Sequence, residues 1–525
     1  MKMFNPVTGI SVSISWLWTQ FSSCWNNLTA LTISLILFAL LLDYLKRGKR
    51  CSRSPPGPAP LPFIGNLLII DRKNCLVFDI KNPYKTLLDV AKQFGPTFSF
   101  QIGWKNYAVI GGFKMIKEAL GRKSENFIEK RPIPLLKLVG RVKNCEGIFL
   151  ATSSEGWKEQ RKFCITTLKK FGMGKKTLEQ RVSEEAGYLC SEFKSQEGSP
   201  FDPQKLISQA VGNVICILVF GDRFEYNDET FQKLLHSSKE IIKEASRILP
   251  LLLGAGSWLS YLPGPHRKIL KFYNDFCVVV RKIINEHKKT RDPTFPRDVT
   301  DAFLEEIEKA KWNPESTFSE QNLFNVIVDL FGAGIETTTC TLLWGLLFMV
   351  LHPEVQKRVH REIDMVIGKV KPPMMEDQPK MPYTRAVIQE IQRYADVVPV
   401  TLPNVTHRDT EVGEFVIPKA TAVFIHLSTM MKDETMWEKP HEFYPEHFLD
   451  ENGQLVNREA FVPFSIGRHS CPGEQLAKME LFIFFTTLLQ HFTFYIPENS
   501  PRPTEEKVFS LISIPLPFQI CATPR

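Results

Sequence analysis

Charge is absent from the amino terminus of this chain: no Asp, Glu, Lys or Arg occurs between Met3 and Leu42. Close cysteine pairs are absent too. The eleven cysteines are scattered with no C-x-x-C spacing, which argues against a disulfide framework and suits a reducing compartment. No polybasic arm occurs, and a net charge of +8 is modest for 525 residues. That balance fits a membrane surface or an acidic protein partner and disfavours nucleic acid. Internal repeats, low-complexity tracts and a glycine-rich dinucleotide loop are also missing. The one clear internal break is a proline-rich stretch near residue 55, so a short leader and one large globular domain are expected.

What is present begins with an apolar run. Residues 28–45 are long enough to span a bilayer, and Lys46, Arg47, Lys49 and Arg50 follow at once. Positive charge stays on the cytosolic side. An apolar run ahead of its charges is the order of a signal anchor and the reverse of a cleaved signal peptide. A single-pass anchor with a lumenal amino end and a cytosolic main domain is therefore expected. Residues 1–27 carry Trp16, Trp18, Phe21 and Trp25, which suits either a lumenal interface segment or a re-entrant one. Residues 46–62, basic and then proline-rich, read as a stiff hinge, because proline favours extended geometry and cannot continue a helix. Residues 63–525 form the globular domain. Its periodicity is helical from about residue 114 to 395, with strand-like segments at 97–102, 107–110, 412–417 and 509–520. The expected class is mainly α with a small β region.

The most informative local sequence is Phe461-Val-Pro-Phe-Ser-Ile-Gly-Arg-His-Ser-Cys471-Pro-Gly473. It sets one thiol in a turn ahead of an apolar helix that begins near Glu474. Gly467 and Gly473 leave room for backbone N–H groups around the sulfur. The positive end of the following helix favours a negative ligand, and Phe464 supplies an aromatic shield. A lone cysteine is more often a buried core residue, but a thiolate in this setting suits haem iron, onto which it pushes electron density. A second motif lies in the longest apolar helix, expected over residues 319–351 and stopped by His352-Pro353. At its centre stand Ala333, Gly334, Ile335, Glu336 and Thr337. A carboxylate and hydroxyls are costly inside so apolar a helix unless they work or pair. Small residues there let a flat ligand approach, and a threonine hydroxyl can bond the carbonyl four residues back. Glu390 and Arg393 lie three apart, acid before base, on one helical face. Trp157 and Arg161 lie one helical turn apart.

Together these segments resemble the haem loop F-x-x-G-x-[RH]-x-C-x-G, the [AG]-G-x-[DE]-T helix, the E-x-x-R pair and the W-x-x-x-R pair of the cytochrome P-450 family of haem-thiolate monooxygenases. The resemblance covers about residues 55–522, and residues 162–176 and 213–224 are similar to the family's microsomal drug-, fatty-acid- and steroid-oxidising branch. It implies the cytochrome P-450 fold, a single haem domain behind a transmembrane anchor, held in the endoplasmic reticulum membrane and facing the cytosol. It implies haem b with Cys471 as the axial iron ligand. Trp157, Arg161 and His469 would meet the haem propionates, and Phe464, Gly467 and Ala333 would adjoin the ring. Thr337 would donate a hydrogen bond to bound dioxygen and Glu336 would relay protons from water. Glu390 and Arg393 would be structural, with His447 in the place of a third, usually arginine, member. Two positions depart from the branch: His469 stands where arginine is usual, and Asn404 where histidine is usual.

The implied reaction inserts one oxygen atom from O2 into a lipophilic small molecule such as a fatty acid, steroid or xenobiotic. Electrons would come from NADPH through a separate NADPH-cytochrome reductase, with cytochrome b5 as a second donor. Lys158, Lys162, Lys169, Lys170, Lys175 and Lys176 form a basic stripe that suits either plain solvation or docking of such an acidic donor. The apolar segments 248–259, 398–402 and 509–512 suit a lipophilic pocket or plain core packing. Two other readings stand beside this one. A haem-thiolate lipid-peroxide isomerase or dehydratase would need no reductase, and an intact Glu336–Thr337 pair argues against it. A non-catalytic haem sensor would consume no NADPH.

Overall fold

The computed structural model describes residues 29–45, 53–66, 83–127, 129–130, 137, 139–141, 146–149, 151, 154–254, 264, 266–498, 500–509 and 511–525. The expectations for residues 1–27, for the basic cluster at 46–50 and for the end of the apolar segment 248–259 lie outside the described residues.

The sheet is small and lies to one side. Its five strands run in the order Phe98–Ile102, Lys105–Gly111, Ala422–His426, Asn404–Val405, Glu129–Lys130. The first two form an antiparallel hairpin with Phe98 opposite Val109 and Ile102 opposite Lys105. The expected loop at 103–106 is shorter in fact, with Gly103 and Trp104 alone making the turn. Gly103 has φ +60° there, a conformation that suits glycine. Lys105–Gly111 then pairs in parallel with Ala422–His426, more than three hundred residues on. All five residues of Ala422–His426 are buried, as expected of a strand covered on both faces. The carboxyl-terminal β region is more broken than the sequence suggests: Lys507–Phe509, Ser513–Pro515 and Cys521–Pro524 replace one run. Pro515 and Pro517 lack the N–H groups that a longer ladder needs.

Helices make the rest. The central one spans Glu320–Leu351. Ser319 caps it by accepting from the Asn322 N–H at 3.2 Å. His352 ends it, and Pro353 opens the helix Pro353–Val366 at its first turn. Its apolar surface is almost wholly buried within the domain, so it is a core helix despite a length that would cross a bilayer. Trp344 is completely buried, and its indole N–H donates to the Ser513 carbonyl at 3.0 Å. Burying a ring of that size contributes up to roughly 4–6 kcal/mol. Two glycines set how closely its neighbours approach. A Cβ on Gly334 would lie 2.5 Å from Ile215 of the helix Gln204–Phe220. One on Gly345 would meet Ile391 at 3.2 Å and Phe485 at 3.3 Å. These belong to the helices Pro382–Ala395 and Glu474–His491, which carry two of the sequence motifs.

At the amino end, Thr29–Leu45 is a separate apolar helix. Leu31, Ile33, Leu35, Ile36, Leu37 and Phe38 are all more than half exposed. The proline-rich stretch is hydrogen-bonded to the domain. Ser99 donates its N–H to the Pro56 carbonyl and its hydroxyl to the Pro55 carbonyl. Val416 donates its N–H to Arg53, and Asn66 reaches the carbonyls of Pro58 and Ala59. Residues 53–62 are thus joined to the domain. Prolines have no N–H to offer, but their carbonyls accept freely.

Candidate functional site

The loop 461–473 folds around its cysteine. The Cys471 N–H donates to the Phe464 carbonyl at 2.9 Å, closing the turn. Gly473 directs its own N–H at the Cys471 sulfur, and the helix Glu474–His491 starts at the next residue. An N–H and a helix N-terminus both favour a thiolate. Cys471 is exposed, yet the protein packed around it acts more strongly in the other direction and pushes the thiol up by desolvation, against the Gly473 N–H and the Arg161 charge. A bound cation would reverse that balance.

The two glycines have different tasks. Gly473 is not crowded, since an added Cβ would meet only the Cys471 sulfur, at 3.9 Å. Gly467 has φ +77°, and a Cβ there would lie 2.1 Å from the Leu120 carbonyl oxygen. Its smallness admits a neighbouring backbone, whereas the expected effect was to admit N–H groups to the sulfur. The Phe464 ring is half-buried, with the Lys478 ammonium 5.7 Å from its centre.

The helix Ser154–Lys170 brings Trp157 and Arg161 to the same place. Arg161 donates to the Ser470 carbonyl at 2.6 Å, next to Cys471, and its guanidinium lies 5.4 Å from the Trp157 ring centre. Trp157 is buried and packs against the His469 ring at 4.7 Å. Four residues singled out from separate stretches, Trp157, Arg161, His469 and Cys471, therefore form one cluster. Asn404 is buried on its short strand, and its Oδ1 has no hydrogen-bond partner among the described residues.

The central helix supplies the other residues. Its middle is buried, yet Ala333 is exposed and Gly332, Gly334 and Thr337 are partly so. Exposure at the centre of a core helix marks an internal opening. The Thr337 hydroxyl donates to the Ala333 carbonyl at 2.6 Å, and Thr341 repeats the pattern to Thr337 at 2.9 Å. Glu336 differs in exposure. It is buried, which raises its pKa, with Lys239 opposing the shift.

Glu390 and Arg393 are both completely inaccessible to solvent. Arg393 makes two parallel bonds of 2.7 Å to the Glu390 carboxylate. It also donates to the carbonyls of Met431, Pro440 and Glu442 at 2.8–2.9 Å. His447 completes the group. Its Nε2 accepts from the Lys439 N–H at 3.1 Å, so the ring is neutral there, with the proton on Nδ1 facing Glu390 at 3.2 Å.

Two buried carboxylates escaped the sequence reading. Asp329, on the central helix, accepts from the Ile148 and Phe149 N–H groups at 2.7 and 3.0 Å, and pairs with the buried Arg141 at 2.5 Å. It holds Arg141, Ile148 and Phe149 against the helix. Glu480, on the cysteine helix, is wholly buried and bonded to Thr338 of the central helix, and burial pushes it up to about 8. The signal was available in Met479-Glu480-Leu481-Phe482, a single acid inside an apolar run.

These residues fit haem. A thiol is set at a helix N-terminus, cationic and aromatic side chains stand beside it, and a small-residue opening interrupts the central helix. The buried Asn404 Oδ1 marks a polar group whose partner the described residues do not supply. Comparison with known proteins agrees. The family model described as Cytochrome P450 matches residues 55–522. The chain is 47% identical over 502 residues to cytochrome P450 2D14 of Bos taurus, covering 95% of this chain and 99% of the relative. It is 47% identical over 500 residues to cytochrome P450 2D6 of Homo sapiens, with the same coverage. It is also 47% identical over 502 residues to cytochrome P450 2D3 of Rattus norvegicus, again with the same coverage.

Proposed function

The chain belongs to the cytochrome P450 family, and on that premise we propose that it oxidises lipophilic small molecules at a haem held by Cys471, on the cytosolic face of the endoplasmic reticulum. It is an oxidoreductase of the monooxygenase class and its cofactor is haem. Haem, when bound, supplies the activation of dioxygen; this chain supplies position, protons and exclusion of water. The Cys471 sulfur is oriented by the Gly473 N–H and by the turn that Phe464 closes. Arg161, Trp157 and His469 form the polar edge that would take the cofactor's carboxylates. The small side chain of Ala333 leaves the opening free for a flat group and a substrate. Thr337 presents a hydroxyl at that opening, and Glu336, kept towards its protonated form by burial, is the proton store one residue away.

Fatty acids, steroids and xenobiotics are the proposed substrate classes, on the strength of the apolar segments noted above. Electrons would come from NADPH through a separate reductase, or from cytochrome b5. The six lysines of the stripe are all exposed and begin on the helix that carries Arg161, which places positive charge near the thiol for an acidic donor to meet. The exposed apolar helix Thr29–Leu45 supports a single-pass anchor.

The observation that carries this reading is the Cys471 turn with its N–H partner and adjacent Arg161. Cys471→Ser is expected to abolish the red-shifted ferrous–CO band together with NADPH- and reductase-dependent product. Retention of both would overturn the assignment.

A further inference from the structure

Asp43 sits two residues from the carboxyl end of the apolar helix Thr29–Leu45, yet it is buried. A carboxylate at the rim of an apolar helix is costly unless it is paired. Here two donors from the globular domain meet it. The Asp43 Oδ1 accepts from the Trp104 indole N–H at 2.7 Å and from the Phe63 backbone N–H at 3.0 Å.

The two donors sit on a rigid platform. Leu61 and Gly65 exchange backbone hydrogen bonds of 2.8 and 3.0 Å across a tight turn. That turn is fastened to the sheet hairpin by the Asn66 N–H on the Gln101 carbonyl at 2.6 Å. The Gly103 N–H on the Ile64 carbonyl, at 3.0 Å, is a second tie. Gly65 approaches so closely that an added Cβ would lie 2.5 Å from the Gln101 oxygen. Phe63, at the tip, holds φ +61°, a left-handed conformation that is strained for a bulky residue. That strain turns its N–H to Asp43 and leaves its ring outside. Phe63, Ile64 and Trp104 are 44%, 37% and 50% exposed. They continue the exposed apolar surface of the helix, and an indole with one apolar and one polar side suits a lipid interface.

We propose that Asp43 latches the apolar helix to the Phe63–Trp104 platform, so that this latch sets the tilt of the domain on the bilayer and seats Phe63, Ile64 and Trp104 in the lipid interface. The proposal rests on the reading of Thr29–Leu45 as a membrane anchor. The helix is about 25 Å long, against about 30 Å of hydrocarbon, so little length is left over for tilting within the membrane.

The test uses the full-length holoprotein in oriented lipid multilayers, where polarised absorption of the haem band reads the tilt of the domain. Asp43→Leu removes the acceptor and keeps the helix apolar. Trp104→Phe keeps the ring and removes the N–H. Both variants are expected to retain the ferrous–CO band while the dichroic ratio moves towards one, the value for an unordered tilt. A dichroic ratio equal to wild type in Asp43→Leu overturns the latch. Resistance of the wild type to alkaline-carbonate extraction separates the two readings: release from the membrane would sink the anchor itself and the latch with it.

Discussion

At Thr337 the hydroxyl proton goes to the Ala333 carbonyl, so towards the opening the side chain offers an acceptor. Donating to a bound ligand requires the hydroxyl to rotate away from that carbonyl. Thr337→Ala should leave cofactor and substrate binding in place and divert electrons to hydrogen peroxide. The ratio of product to NADPH consumed, alongside a peroxide assay, checks this; an unchanged ratio would refute the role. Glu480 makes a second prediction. Burial lifts it to about 8, against an opposing bond from Thr338, whereas an unfolded glutamate releases its proton near 4.3. The folded state therefore holds a proton that the unfolded state gives up. The associated stability is complete below about pH 4.3 and is lost as the pH rises through about 8, by up to about 1.4 kcal/mol per unit. Glu480→Gln should flatten the melting temperature between pH 5 and 8; parallel slopes for the two proteins would show that Glu480 does not titrate in this way. At this scale the sequence singled out Cys471, Glu336 and Thr337 as residue types that are expensive or reactive in their setting, and Trp157 and Arg161 by their spacing of one helical turn. The use of Gly467 was not, since the Leu120 carbonyl it accommodates comes from a distant segment.

Between elements, the Arg393 guanidinium is the tie. One side chain on Pro382–Ala395 holds three carbonyls from residues 431–442 as well as its own Glu390. Lysine in its place would keep the charge and lose the planar fork. Breaking a buried pair of this kind costs about 3–5 kcal/mol. Arg393→Lys should therefore lower the melting temperature and the fraction of protein that incorporates haem, as read from the ferrous–CO band. Full haem content in that variant would show that the segment folds without the fork. The spacing of Glu390 and Arg393 predicted that they meet. It gave no hint that His447 would be neutral, because that follows from the Lys439 N–H, a backbone donor eight residues away. The central helix was legible to within a residue from its apolar run and its His352-Pro353 stop. The strands after residue 505 were not, because apolar alternation persists across prolines that interrupt the ladder.

Across the whole molecule, the proline-rich stretch is tied to the domain that follows it. Hydrogen bonds from Ser99, Val416 and Asn66 reach back to residues 53–59. A soluble version beginning at Arg53 should match the melting temperature of the detergent-solubilised full chain. One beginning at Phe63 should melt several degrees lower, since each lost bond costs about 1 kcal/mol. Equal melting for the two truncations would return residues 53–62 to the role of a plain linker. Those same contacts have another effect. Phe98–Ile102 is the longer of the two outer strands of the sheet, and a bare outer strand is a template on which a second chain can add itself. The proline stretch occupies that border by accepting from Ser99, and five of its eight residues, 55–62, are prolines whose nitrogens carry no hydrogen to offer onward. The segment that leads away from the apolar helix thus also closes the sheet against self-association, and protein deprived of it should form β-rich aggregates at concentrations where the intact chain stays dispersed.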